Sequence, residues 1–454
     1  VLVSKLQTIG NRSQKSEISQ DMADFQPLRA WRYHPEKTVF SEVIAPPYDI
    51  ISEESQQKLY DRSPRNCVRL ILNKHQPADD DRENRYTRAR GFFQAWRQDQ
   101  TLIQDDVPSF YLYRQTFADP VSRAEKTRMA LLGRLKLETF DRGIVIAHEK
   151  TLSKPKEDRK KLLEATGTNF SPIFGLYEDS KKEILSQTEA VLRKNPDYRG
   201  TDDEQVLHEL WVIRDPQTVQ SVHAAFASKK IYIADGHHRY QTALDHSLAV
   251  REREKAAPEV RLPSDYVLMA LVEMNDPGLV LMATHRMILP FQGFRPEQML
   301  QTLGPFFKLE EMSAERILAH FKEDRSRGVS MGLLLGNGRS FLATLKDIRQ
   351  AMQTMAVSKP EAWCRLDVTL LNHLILAKLW HLPEKAWEGT IRYTHSWEEA
   401  VRKAGTGEFA AVFLLKDPPV NILYEMGEIG ELLPQKTTYF YPKLASGLVF
   451  YEHR

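Results

Sequence analysis

Apolar residues fall along this chain in two rhythms. Short runs rich in β-branched and aromatic residues predict strands at 67–72 (CVRLIL), 110–117, 128–137, 171–177, 210–213, 231–234, 265–274, 278–289, 330–336 and 409–415. Between them, apolar positions recur every three or four residues over 83–98, 155–166, 180–194, 216–227, 238–255, 313–324 and 366–379, and these predict helices. The two kinds alternate irregularly, without a repeating strand–helix period or an internal repeat, so the expected class is α+β, a mixed α/β architecture. GNGRS at 336–340 reads as a hairpin turn.

Polar, turn-rich stretches near 195–205 and 251–265, and the proline- and glycine-bearing segment that starts near 290, suggest surface connections. They divide the chain into an α/β unit over 22–200, a unit over 201–290 and a C-terminal α/β unit over 291–454. Residues 1–21 are polar, carry Lys5, Arg12 and Lys15, and lack an apolar stretch of secretory length; a disordered extension rather than a signal peptide is expected there.

Composition removes some classes of function. Lys plus Arg at 63 against Asp plus Glu at 61 leaves a formal charge of +2, which is not the footprint of a dedicated nucleic-acid binder. The apolar run at 266–274 is about half the ~20 residues that cross a bilayer, so no membrane partner is expected. Cys67 and Cys364 are the two cysteines, far apart and without metal-ligand spacing, which fits a reducing, cytoplasmic setting.

The strongest chemical signal is KKIYIADGHHRYQTALDHS at 229–247. A strand-like run ends in Asp235 and Gly236, and helical spacing begins at His237 or His238. Asp235 is expected to cap the helix, Gly236 to allow close backbone approach or positive φ, and Arg239 to lie near the positive end of the helix dipole. Amides, dipole and guanidinium at one point make a phosphate or carboxylate site, with Tyr240 and Thr242 assigned to the same binding set. His237 and His238 are candidates to move a proton, hold the anion or ligate a metal.

Three further clusters bear on the site. In SEVIAPPYDIIS at 41–52, Pro46 and Pro47 stiffen a turn that presents Tyr48 and Asp49 before a helix start. At 147–177, His148 and Glu149 end a strand-like run, while Lys154, Lys156 and Arg159 open a helix in a way suited to an anion. No second histidine follows His148 at metalloprotease spacing. Thr284, His285 and Arg286 read as cross-strand structural residues. The aromatic segment at 433–451 reads mainly as core and interface, with Lys436, Thr437 or Lys443 able to close a pocket. A Walker loop and a G-x-S-x-G elbow are absent from the sequence.

These motifs, APPYDIIS, HEKT with PKEDR, SPIFGLY, ADGHHRYQTAL, LDVTLLNHLIL and TTYFYPKL, in this order from about Met22 onward, resemble the prokaryotic family catalogued as domain of unknown function 1015. More distantly, the strand, Asp-Gly-His-x-Arg and helix are similar to the nucleotide-binding motif of the ParB and sulfiredoxin-like superfamily, which includes kinases of free serine. That resemblance implies a ParB/sulfiredoxin-like core with large insertions and added α/β units. It puts Asp235, Gly236, His237 and Arg239 on the phosphate-holding motif and His238 at its variable position. An upstream carboxylate is the implied base for a substrate hydroxyl, with Glu36, Glu42 and Asp49 as candidates.

The implied function is a nucleotide- or phosphate-binding phosphotransferase for a small hydroxylated metabolite, using Mg²⁺ and ATP or ADP, with homo-oligomerisation left open. The chain is much longer than the small serine kinases, and a long insertion separates APPYD from DGHHR. Two other readings of the same residues remain: a metal-dependent phosphohydrolase with His237, His238, Asp235 and His148 around an ion, and a nucleotide-responsive regulatory binding protein.

Overall fold

The structure is a computed structural model that describes residues 23–149, 153–323 and 328–453. The extension expected at 1–21, Lys150 and Thr151 of the HEKT motif, and the side chain of Lys154 lie outside the described residues.

Nine strands between Phe25 and Glu273 build one sheet. Its order is Val145–Ile146, Ile231–Asp235, Ile173–Tyr177, Tyr266–Glu273, Glu125–Lys136, Phe110–Ala118, Leu207–Ile213 and Tyr198–Thr201, with Phe25–Gln26 also pairing on Glu125–Lys136. Ile231–Asp235 runs parallel to Val145–Ile146 and antiparallel to Ile173–Tyr177. The strand that ends at 201 is hydrogen-bonded to the one that starts at 207, so the segments 22–200 and 201–290 share this sheet.

Both faces of the sheet are covered. Leu112, Leu131, Ile231, Ile233 and Met269 pack against helices Pro216–Phe226 and His237–Glu254. On the other face, Tyr113, Leu132, Tyr232, Ala234 and Leu268 meet residues of the C-terminal half. Every residue of Tyr266–Glu273 is therefore buried, which is why that strand reads as an unbroken apolar run instead of an alternating one.

The C-terminal half forms a six-stranded antiparallel sheet ordered Phe307–Glu311, Ser340–Leu345, Ser330–Leu335, Ala411–Leu414, His285–Ile288 and Ile391–Thr394. The chain then returns alongside the first sheet through two short pairings of their own. Tyr439–Tyr441 pairs with Val280–Met282, Tyr451–Glu452 with Thr168–Asn169, and Ser446 bridges Ala45. This return lays residues 436–443 across the end of Ile231–Asp235.

Four expectations are corrected. CVRLIL is not a strand: Val68–Ile71 is helical, with the Asn66 carboxamide accepting from the Val68 N–H at 2.9 Å. A short apolar run has no periodicity that separates a buried helix from a strand. The run at 278–289 breaks at Ala283, whose N–H donates to Asp417, into two strands that belong to different sheets. Over 180–194, Lys182 at φ 54° and Thr188 interrupt the pattern, leaving the short helices Glu183–Ser186 and Glu189–Leu192. The helix expected at 366–379 is present, but Leu370–Leu379 is π-helical. The hairpin at 336–340 is as expected, with Gly338 at φ 88° joining two paired strands.

Candidate functional site

Ile231–Asp235 contains a register shift between Ile233 and Asp235 against its neighbour, a bulge that re-aims the strand end. Gly236 follows at φ 97°, ψ 25° and serves as the N-cap of His237–Glu254. The positive φ at Gly236 favours glycine, and a Cβ there would lie 2.8 Å from the Arg239 guanidinium and push that side chain aside.

Asp235 is not the helix cap. The cap position is Gly236, which has no side chain to bond the first amides. The Asp235 carboxylate is instead taken by two cations: Arg239 Nη2 lies 3.0 Å from Oδ2, and Lys443 Nζ lies 3.0 Å from Oδ1. Burial would push this carboxyl up, but Lys443 and Arg239 overcome it and hold the group well below the usual carboxylate range. Arg239 also donates to the Pro172 carbonyl at 2.6 Å.

Lys443 arrives from the far end of the chain. Gln115 donates to the Lys443 carbonyl at 3.0 Å, and the buried Arg128 donates to the Tyr441 carbonyl at 3.2 Å and to that of Pro442. The Lys443 ammonium also lies 4.6 Å from the centre of the Tyr439 ring, which stacks on His395 at 3.6 Å.

The first helical residue, His237, is buried and meets His148 edge to face, with ring centres 4.4 Å apart. Its Nε2 accepts the His148 backbone N–H at 3.3 Å. Burial pushes His148 down to about 4, and burial together with His148 pushes His237 well below its usual value. Both rings are therefore neutral at pH 7. The Ile233 carbonyl lies close enough to favour the charged form of His148, yet among the described residues no well-formed hydrogen bond reaches its buried Nδ1. Glu149, partly buried, accepts the Lys436 N–H at 3.2 Å, and burial pushes its carboxyl up.

The APPYD segment reaches the same place. Arg159 lies 3.8 Å over the Tyr48 ring, and Tyr48, Arg159, Arg239 and Thr242 line a cavity of about 50 Å³. Asp49, exposed on the turn Tyr48–Ile50, acts on His238; burial lowers that imidazole and the Asp49 charge opposes the shift. A larger cavity of about 760 Å³ adjoins the cluster at Glu149, between Gln241 of the site helix and the loop Gly430–Leu432.

Other expected residues already have protein partners. Tyr240 is a core residue, fully buried, whose hydroxyl donates to the Glu138 carbonyl and accepts the Glu138 N–H, both at 2.9 Å. Its assignment to phosphate binding is corrected, because that turn of the helix faces the sheet. Arg159 donates to the Ile71 carbonyl and to Asp158, and Lys156 pairs with Asp245. Glu36 is exposed in the turn after His34, and Glu42 is exposed on the helix Phe40–Val43. Glu149 lies beside His148 at the site, and Lys436 and Lys443, two of the residues expected to be able to close a pocket, reach Glu149 and Asp235.

The family described as "Protein of unknown function (DUF1015)" matches residues 25–369. No curated protein matches the chain. Among solved structures, a free serine kinase in complex with AMP is similar at 16% identity and a TM-score of 0.32, over 65% of this chain and 83% of that one. A conserved hypothetical protein from Pyrococcus furiosus is similar at 15% identity and a TM-score of 0.32, over 66% and 89%. SbnI with C-terminal truncation from Staphylococcus aureus is similar at 11% identity and a TM-score of 0.32, over 69% and 85%.

Proposed function

The chain belongs to the DUF1015 family, and we propose that it binds a nucleotide by its phosphates at the 235–239 junction and transfers a phosphoryl group to a small hydroxylated metabolite. The observation that supports this most is the convergence of four distant segments, carrying Tyr48 and Asp49, His148 and Glu149, Asp235 to Arg239, and Lys436 to Lys443, on one helix start.

Gly236 at the cap supplies no side chain to the first turn of His237–Glu254, where the helix dipole favours an anion. Asp235 fixes Arg239 and Lys443 in place while neutralising only part of their charge. The result is local positive potential in a chain whose formal charge is only +2. Two neutral imidazoles beside it add hydrogen-bonding nitrogens without adding charge.

In this reading the substrate hydroxyl attacks the terminal phosphorus of ATP or ADP. Its proton passes to Asp49, the carboxylate whose charge acts on His238. The bridging oxygen departs with the shortened nucleotide, which the helix amides and Arg239 hold. Mg²⁺ would accompany the phosphates, since clustered phosphate charge calls for it.

Calorimetric titration of the full chain with ATP and ADP in Mg²⁺ tests the reading. One site per chain is expected, and Arg239→Ala should weaken binding by roughly tenfold or more with the fold retained by circular dichroism. Absence of heat with either nucleotide, or unchanged affinity in the folded variant, removes the proposal.

A further inference from the structure

We propose that His148, Glu149 and His237 form a binding site for a divalent first-row transition metal ion, set between the phosphate-binding junction and the 760 Å³ cavity. One ligand atom from each residue lies within 4.8 Å of the others. Metal–ligand bonds of about 2.0–2.2 Å around one ion need donors roughly 3–3.5 Å apart, so modest side-chain rotation closes the set.

The cluster has the features of a built site rather than a surface coincidence. His148 is 3% exposed and His237 is 6% exposed. Among the described residues, no well-formed hydrogen bond reaches the buried Nδ1 of His148, an arrangement that costs about 1–3 kcal/mol unless something takes the nitrogen. Outer groups orient the donors: the Thr438 hydroxyl is 3.3 Å from His148 Nε2, and the Lys436 N–H is 3.2 Å from Glu149 Oε1. The His148 N–H bond to His237 Nε2 is long at 3.3 Å, so an ion at that nitrogen has little to displace.

Donor chemistry selects the ion. Two imidazoles and one carboxylate suit Zn²⁺, Mn²⁺ or Fe²⁺, whereas Mg²⁺ prefers oxygen alone. Lys443, Lys436 and Arg239 lie nearby, and Asp235 is already held by two of these cations. A metal ion therefore adds charge to a cationic surround, which an anion would relieve. Inorganic phosphate should tighten metal binding, and this last point alone rests on the phosphate-binding reading.

The test is titration of the chelator-stripped full chain with Co²⁺, followed by visible d–d absorption. The expected result is saturation at one ion per chain. Glu149→Gln and His148→Gln should each weaken Co²⁺ by more than about tenfold, at least the loss seen on removing an outer-shell partner. His75→Gln, at an exposed histidine, should change nothing. Glu149 is only partly buried, so its variant keeps the test valid if His148→Gln does not fold. No saturable absorption, or equal affinity in the folded Glu149 variant, overturns the site. Nucleotide titration of the chelator-stripped chain, freed of chelator and returned to Mg²⁺, separates the two proposals: nucleotide heat without a Co²⁺ band sinks the metal site alone, and a Co²⁺ band without nucleotide heat sinks only the phosphate-binding reading.

Discussion

Lys443 Nζ lies 3.0 Å from Asp235 Oδ1 across 208 positions of chain, and the lysine side chain is 10% exposed. Removing one partner of a buried pair leaves the other charge uncompensated, which costs more than the pair itself contributes. Lys443→Met should therefore lower stability by about 3 kcal/mol, the low end for such a loss, because Arg239 still holds the second oxygen. Replacing both, Asp235→Asn with Lys443→Met, should recover part of that loss. Urea unfolding of the two single variants and the double variant measures the coupling; additive effects would mean that the contact contributes nothing.

Gly236→Ala is expected to be disruptive for two separable reasons. The position is at φ 97°, and the added Cβ would meet Arg239 Nη2 at 2.8 Å. The backbone part costs about 1–2 kcal/mol. Displacing the guanidinium also loosens its bond to the Pro172 carbonyl, so nucleotide affinity should fall along with the melting temperature. A melting temperature equal to that of the unaltered protein would show that neither constraint operates.

Much of the junction was legible in the sequence. The strand end, the glycine with positive φ and the helix start at His237 are local features, and local residues encode them. The role of Asp235 was not legible, because its partner Lys443 is brought by a return of the chain that Arg128 and Gln115 fix through backbone carbonyls. Side chains that bind main chain leave no pattern in a linear reading. Tyr240 misled for the opposite reason: its nearness in sequence to Arg239 suggested binding, while its spacing from Ala243 and Leu244 already put it on the buried face. The segment 67–72 was lost to a general ambiguity, since a run this short looks the same in a buried helix and a buried strand.

Stability should fall on acidification. Burial pushes His285 down to about 3, His395 to about 4 and His453 to about 3, all below the usual 6.5. Groups with depressed imidazole values give stability that is fully present above 6.5 and is lost as pH falls towards 4. Asp367, pushed up to about 6 by burial, acts with the opposite sign: its contribution is lost as pH rises from about 4 to about 6, which offsets part of the slope. His285 is 4% exposed and its Nδ1 accepts the Leu415 N–H at 3.2 Å. Between pH 6.5 and pH 5 it should contribute a loss of roughly 1–2 kcal/mol. Urea midpoints at pH 7.5 and pH 5 should differ accordingly, and His285→Gln should narrow the difference. A profile that is flat or rises towards acid would contradict the neutral buried state of these rings.

Asp49 offers the sharpest division between binding and turnover. It is exposed on the turn Tyr48–Ile50, so Asp49→Asn removes a charge without opening the core. Its charge favours protonation of His238, and the variant should therefore titrate His238 at lower pH by proton NMR. If Asp49 takes the proton of the attacking hydroxyl, phosphoryl transfer should drop by about 10²–10⁴ while nucleotide affinity changes by less than about twofold, since general-base loss acts on the transition state. Glu36→Gln and Glu42→Gln, at two exposed positions, supply the comparison. A fall in turnover in either of them, with none in Asp49→Asn, would hand the base role to that glutamate. An equal loss of nucleotide affinity and turnover in Asp49→Asn would instead make Asp49 a binding residue, acting before any proton moves.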